Sequence, residues 1–157
     1  MPPRMLLLGI ANPTGESESY NGLYLRDCEL RSAAPALNGT PVKAEHVGDD
    51  LGKVVSAFVD DEGKLNCVMK IDESSVQGAI AAGLVRSGVA ADLSLGYAVD
   101  VRHSAPDRLQ AGVKRILEVS LVRKGAREGC HIVGYQGKES FVQCERADDE
   151  WKYFDLK

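Results

Sequence analysis

No C-x-x-C pair occurs in this sequence, and its four cysteines, Cys28, Cys67, Cys130 and Cys144, lie far apart with no clustered Cys/His spacing of the zinc type. That argues against a zinc ribbon or a dithiol redox site, and reduced, mostly structural thiols are expected. Long apolar runs are missing too. Met5 to Ile10 is the apolar run at the N-terminus, well short of a signal-peptide core with its cleavage site or of a membrane span. A soluble, intracellular protein with no membrane partner is expected. Nor is there an excess of positive charge: the formal net charge is -4, and basic residues are scattered apart from Arg123, Lys124 and Arg127. Nucleic acid is therefore not an expected partner. A G-x-S-x-G elbow is absent, which disfavours an esterase-like hydrolase. Neither internal repeats nor a linker interrupt the chain, and 157 residues of which 44% are hydrophobic suffice for one domain, 1–157, with a real core.

What is present is mostly alternation of period two. Leu65, Cys67, Met69 and Ile71 alternate with polar or mixed neighbours, and Asp60-Asp61-Glu62-Gly63 joins them to the run Lys53 to Val59 as a hairpin. Leu93, Leu95, Tyr97, Val99 and Val101 form a second alternating set, which puts Ser94, Gly96, Ala98 and Asp100 on the opposite, less apolar face. Val113 to Val122 and His131 to Tyr135 read as further strands, and Gly22 to Leu30 as a weaker one. One helix is expected from about Ser74 to Arg86, with Val76, Ile80 and Leu84 at helical spacing, Ser74 or Asp72 as its cap and Gly88 at its end. Residues 11 to 19 read as an exposed loop, and the rings of Trp151, Tyr153 and Phe154 suggest docking onto the body or a partner. Many short strands with one or two helices predict a mainly β fold, a closed or nearly closed antiparallel barrel, since βαβ units would need a helix between most strands.

Three segments carry chemistry. They are Ala44-Glu45-His46 with Leu51-Gly52-Lys53-Val54, then Asp92-Leu93-Ser94-Leu95-Gly96, then Leu117-Glu118-Val119-Ser120-Leu121 leading into Gly125-Ala126-Arg127-Glu128-Gly129. A serine hydroxyl is a poor nucleophile near neutral pH, so an imidazole must take its proton during attack and return it to the leaving amine. A carboxylate such as Glu118 can accept from the other ring nitrogen and fix the tautomer. Gly125 and Gly129 bracket a loop able to present backbone N–H groups to an oxyanion. Taken singly, each element has a plainer reading. His46 beside Glu45 could be an ordinary surface histidine, Ser94 a small polar residue facing a wet groove, and residues 123 to 127 a solvated turn. Glu118 within an apolar strand is harder to dismiss, because a carboxylate there must face solvent or find a partner. His131 competes with Glu118 for the third role, while His103, near Ser104, Pro106 and Asp107, reads as exposed. Their joint order favours catalysis.

Pro41 to His46, followed by Gly52-Lys53-Val54-Val55 and a hairpin, resembles the stretch around the first catalytic histidine of the herpesvirus capsid maturation proteases, the assemblins. Asp92-Leu93-Ser94-Leu95 is similar to their nucleophile strand. Glu118 to Val122 with Gly125 to Gly129 is similar to the strand and arginine-containing loop that complete their site, so the resemblance spans residues 41 to 135. It implies a serine endopeptidase with Ser94 as nucleophile, His46 as general base and Glu118 as third member. It also implies that the backbone N–H of Ala126 donates to the oxyanion, that Arg127 holds a water or charge beside it, and that no metal or organic cofactor takes part. Assemblins place a second histidine where this chain has Glu118, whereas the related prohead proteases of tailed phages use an acidic residue there. The implied partner is a capsid or scaffold precursor polypeptide at the assembling procapsid, with a homodimer or higher oligomer as the assembly. Assemblins continue into a helical C-terminal region that carries much of their dimer interface, for which no counterpart is expected here. The alternative function is a non-catalytic assembly module of the same barrel, binding scaffold or capsid subunits.

Overall fold

Eight strands form one sheet in the order β5-β6-β2-β3-β4-β1-β7-β8, curled into a half-barrel. The computed structural model describes residues 4–13, 27–99, 114–124, 129–137 and 139–144. The strands are β1 (Arg4–Asn12), β2 (Pro41–Ala44), β3 (Val47–Val59), β4 (Leu65–Asp72), β5 (Asp92–Val99), β6 (Lys114–Val122), β7 (Ile132–Gln136) and β8 (Phe141–Gln143). Helix α1 spans Asp27–Ala33 and runs into a 3₁₀ turn, Ala34–Leu37, and α2 spans Val76–Arg86. The expected mainly β, nearly closed barrel is present, but the sheet stays open. Its edge strands are β5 and β8, and at the start of β5 Asp92 and His131 form a lone bridge, Leu93 N–H donates to the Cys130 carbonyl and Ile132 N–H to that of Ala91.

The antiparallel expectation needs one correction, because β2 pairs with β6 in parallel, Val42 opposite Val119 and Ala44 opposite Leu121. Both strands already have an antiparallel partner, β3 for β2 and β5 for β6, so this seam joins two hairpins edge to edge. It brings the end of β2 beside the C-terminal part of β6.

Alternation fixes the core as the sequence predicts. Leu65, Cys67, Met69 and Ile71 are fully buried, and Met5, Leu7 and Ala11 line the same interior from β1. Burial pushes the Cys67 thiol up to about 12, so it remains protonated at any physiological pH. Cys67, Cys130 and Cys144 form no disulfide, and the Cys130 thiol donates to the Ala11 carbonyl. The expected loop at residues 11 to 19 is overturned at its start, because Ala11 and Asn12 end β1 and are buried. The segment Gly22 to Leu30 is not a strand where it is described. From Asp27 the chain is helical, and Leu30, Ala34 and Leu37, at helical spacing, pack into the core.

Helix α2 starts two residues later than expected. Its cap is Ser75, whose Oγ accepts from Gly78 N–H, while the Asp72 carboxylate is taken by the amide and hydroxyl of Ser74. Gly88, at φ +81°, follows the helix end as predicted. The face is the larger correction. Val76, Ile80 and Leu84 are exposed, whereas Gly78, Ala81, Ala82 and Val85 are buried. A Cβ on Gly78 would overlap the Asp72 carbonyl, so the helix lies too close to the β4 end for bulky side chains on that side.

The β3–β4 turn is organised by Asp60. Its carboxylate accepts from the amides of Glu62 and Lys64 and from the Asn66 side chain, and Gly63 takes φ +83°. Partial burial acts to raise the Asp60 pKa, but these hydrogen bonds with Lys64, Asn66 and Glu62 outweigh it and hold the pKa below the ordinary 3.8. A group depressed in the folded state stabilises the fold above its unfolded pKa and loses that contribution as pH falls through the folded value. Asp60→Ala should therefore cost about 1–2 kcal/mol at pH 7 in urea melts and less at an acidic pH below the ordinary 3.8. An equal deficit at both pH values would show that the carboxylate charge is irrelevant to the turn.

Candidate active site

The β2–β3 connection is a two-residue hairpin turn, Glu45-His46, closed by the pair Ala44 and Val47. Both central residues have positive φ, 50° and 65°, the pattern of a type I′ turn that usually takes Asn-Gly. Left-handed backbone costs a non-glycine residue roughly 1–2 kcal/mol, so something outside the turn must hold it. Strand β6 does so. Glu45 N–H donates to the Leu121 carbonyl at 3.1 Å, His46 N–H to Ser120 Oγ at 3.0 Å, and Arg123 N–H to Glu45 Oε1 at 3.0 Å. The parallel seam is what places β6 there.

Across the other edge of β6, Ser94 of β5 lies directly opposite Ser120, and Gly96 opposite Glu118. Directly opposed residues share a face, so Ser94, Gly96, Glu118 and Ser120 form one polar row, consistent with the less apolar face expected for Ser94. His46 reaches over that row from the turn. Its Nε2 lies 2.9 Å from Ser94 Oγ and its Nδ1 2.5 Å from Glu118 Oε1. The second Glu118 oxygen, Oε2, accepts from the Ser120 hydroxyl at 2.5 Å. Ser94, Glu118 and Ser120 are all buried, whereas the His46 side chain is 41% exposed, open to an incoming ligand on one side. Chemically, this arrangement is a hydroxyl facing an imidazole whose far nitrogen is held by a buried carboxylate.

His131 stands apart from this constellation. Its Nδ1 sits 3.1 Å from the Gly129 carbonyl, and its own carbonyl accepts from Ile10 N–H. Glu118, rather than His131, is the residue within reach of His46 Nδ1. Ala126, Arg127 and His103 lie outside the described residues. Among the described residues, no group of three or more His, Cys, Asp or Glu could hold a metal ion, and no helix is long and apolar enough to cross a membrane.

Three contributors to the site were not singled out from the sequence. Ser120 and Glu45 form the hydrogen bonds given above. Gly96 is the third: a Cβ at this position would overlap Oε1 and Cδ of Glu118, so only glycine leaves the carboxylate room beside His46. Gly96→Ala should displace Glu118 and slow the chemical step by about tenfold or more, with little change in melting temperature. A folded Gly96→Ala protein with undiminished turnover would show that Glu118 can stand elsewhere.

No protein-family model matches the chain, and no curated protein matches it in sequence. Solved structures do match. A Kaposi's sarcoma-associated herpesvirus protease in complex with a hexapeptide phosphonate inhibitor is 18% identical, with TM-score 0.60 over 87% of this chain and 66% of that one. Varicella-zoster virus protease is 18% identical, with TM-score 0.52 over 85% of this chain and 64% of that one. A Kaposi's sarcoma-associated herpesvirus protease in complex with a dimer disruptor is 18% identical, with TM-score 0.52 over 98% of this chain and 81% of that one. The chain thus spans about two thirds of the length of the first of these neighbours. Its fold is that of the herpesvirus proteases, the assemblins.

Proposed function

We propose that the chain is a single serine endopeptidase domain that cleaves a viral or virus-like capsid scaffold or shell precursor through an acyl-enzyme. The observation that carries this reading is the unbroken line from Ser94 Oγ to His46 Nε2 at 2.9 Å and from His46 Nδ1 to Glu118 Oε1 at 2.5 Å. It occurs on the fold of proteases, one of which takes a hexapeptide phosphonate. Ser94 Oγ attacks the scissile carbonyl carbon while His46 Nε2 takes the hydroxyl proton, and the carbonyl electron pair moves onto its oxygen. Collapse of the tetrahedral species breaks the C–N bond as His46 returns the proton to the leaving amine. Water, deprotonated by His46, then attacks the ester carbon, and the acyl C–Oγ bond breaks as His46 returns the proton to Ser94 Oγ, freeing the new carboxyl terminus. Glu118 keeps the proton on Nδ1 and offsets the imidazolium charge in both halves. By resemblance, the Ala126 N–H donates to the oxyanion and Arg127 holds a water or charge beside it.

The precursor polypeptide, the procapsid setting and a homodimer complete the proposal. The dimer draws support from the dimer-directed ligand of one neighbour. A fluorophosphonate reagent, followed by peptide mapping, tests the enzyme reading. Modification at Ser94 supports it, and folded but unmodified protein would favour a non-catalytic assembly module instead.

A further inference from the structure

Ser120 is fully buried on β6, two residues from Glu118 on the same face, and its hydroxyl is occupied on both sides. We infer that Ser120 is a positioning residue that closes a hydrogen-bonded ring around His46 and thereby fixes its proton, an inference that rests on the proposed triad. The ring runs from His46 N–H to Ser120 Oγ (3.0 Å), from the Ser120 hydroxyl to Glu118 Oε2 (2.5 Å), and from His46 Nδ1–H to Glu118 Oε1 (2.5 Å). A backbone N–H can only donate, so Ser120 Oγ accepts there and spends its single proton on Glu118. An ionised Glu118 can only accept, so the remaining contact must be donated by Nδ1. The bare lone pair is then left on Nε2, facing Ser94 Oγ. The tautomer needed for attack is set, in this chain of donors, by a backbone amide whose role cannot invert.

The same hydroxyl serves the backbone. His46 sits at φ 65°, and its N–H bond to Ser120 is one of the contacts that hold the turn in that conformation. Removing the hydroxyl leaves a turn amide without its acceptor and a buried carboxylate oxygen without its donor, so both ends of the His46 geometry loosen together. Ser120 and Glu118 should consequently act as a unit: the hydroxyl matters because a carboxylate oxygen is there to receive it.

The test measures the rate of fluorophosphonate labelling of Ser94 in the parent, in Ser120→Ala, in Glu118→Gln and in the double variant, with folding followed by circular dichroism. Ser120→Ala should label about tenfold to 10²-fold more slowly than the parent. On the Glu118→Gln background the same change should cost less than about threefold. The downfield proton resonance of His46 Nδ1–H should broaden in Ser120→Ala through faster exchange with solvent. Ser120→Cys, close in size with a weak donor, replaces the alanine variant if that one does not fold. Parent-like labelling of the Ser120 variant, or an equal loss in both backgrounds, overturns the positioning role while leaving the triad standing. A parent protein that does not label at Ser94 overturns the triad and this inference together.

Discussion

Ser94→Ala should lower peptide-bond turnover by on the order of 10⁴-fold or more while leaving the melting temperature nearly unchanged. The large kinetic effect arises because, among the described residues, Ser94 is the one whose hydroxyl meets His46 Nε2, and nucleophile, base and carboxylate act as one unit. Ser120 also touches His46, but through the backbone N–H, and its proton is committed to Glu118 Oε2. The small structural effect follows from what is removed: one hydroxyl whose acceptor, His46, is 41% exposed and can turn to water. The measurement is turnover of a peptide substrate cut by the parent, alongside thermal unfolding of both proteins. Turnover within tenfold of the parent would mean that bond cleavage does not pass through Ser94.

Glu118→Gln is the second large effect expected, roughly 10⁴-fold in the chemical step. The amide preserves size but removes the charge that offsets the imidazolium, and its NH₂ group can hold Nδ1 as an acceptor, leaving the proton on the wrong nitrogen. Glu118→His should lose less, because a neutral imidazole can still accept from Nδ1–H, although it compensates positive charge poorly. His131→Ala should be nearly silent in the same assay, since its ring rests on the Gly129 carbonyl and not on His46. Single-turnover acylation rates order the three variants. A severe His131→Ala with a mild Glu118→Gln would reverse the assignment.

Much of this site is legible in the sequence because its chemistry depends on residue type and order. His46, Ser94 and Glu118 could be chosen by asking which side chains can lose, relay and balance a proton. Ser120 and Gly96 could not, because their importance comes from pairing. Gly96 matters only once it is known to lie opposite Glu118, and Ser120 only once β2 is known to run parallel beside β6. The β4 alternation was legible because interior positions there are filled by large apolar side chains. Helix α2 misled for the complementary reason. Periodicity weighs greasiness, whereas the close approach at Gly78 selects for smallness, so the Val76, Ile80 and Leu84 stripe faces outward. The short helix at Asp27 was hidden because Leu30, Ala34 and Leu37 reveal their spacing only when the helix and the following 3₁₀ turn are read as one run.

The strand order has a consequence for timing. β2 carries the chain to His46 and β5 holds Ser94, yet these strands are not neighbours, and β6, the latest of the three in chain order, lies between them. His46 and Glu118 are separated by 72 positions, and His46 and Ser120 by 74. A growing polypeptide that ends before Lys114 therefore holds base and nucleophile on separate pieces of sheet, with the histidine turn lacking the amide of Arg123, the hydroxyl of Ser120 and the carbonyl of Leu121 that hold it. On the proposed peptidase reading, an emerging chain stays inert during synthesis, because the strand that joins His46 to Ser94 is made after both of them.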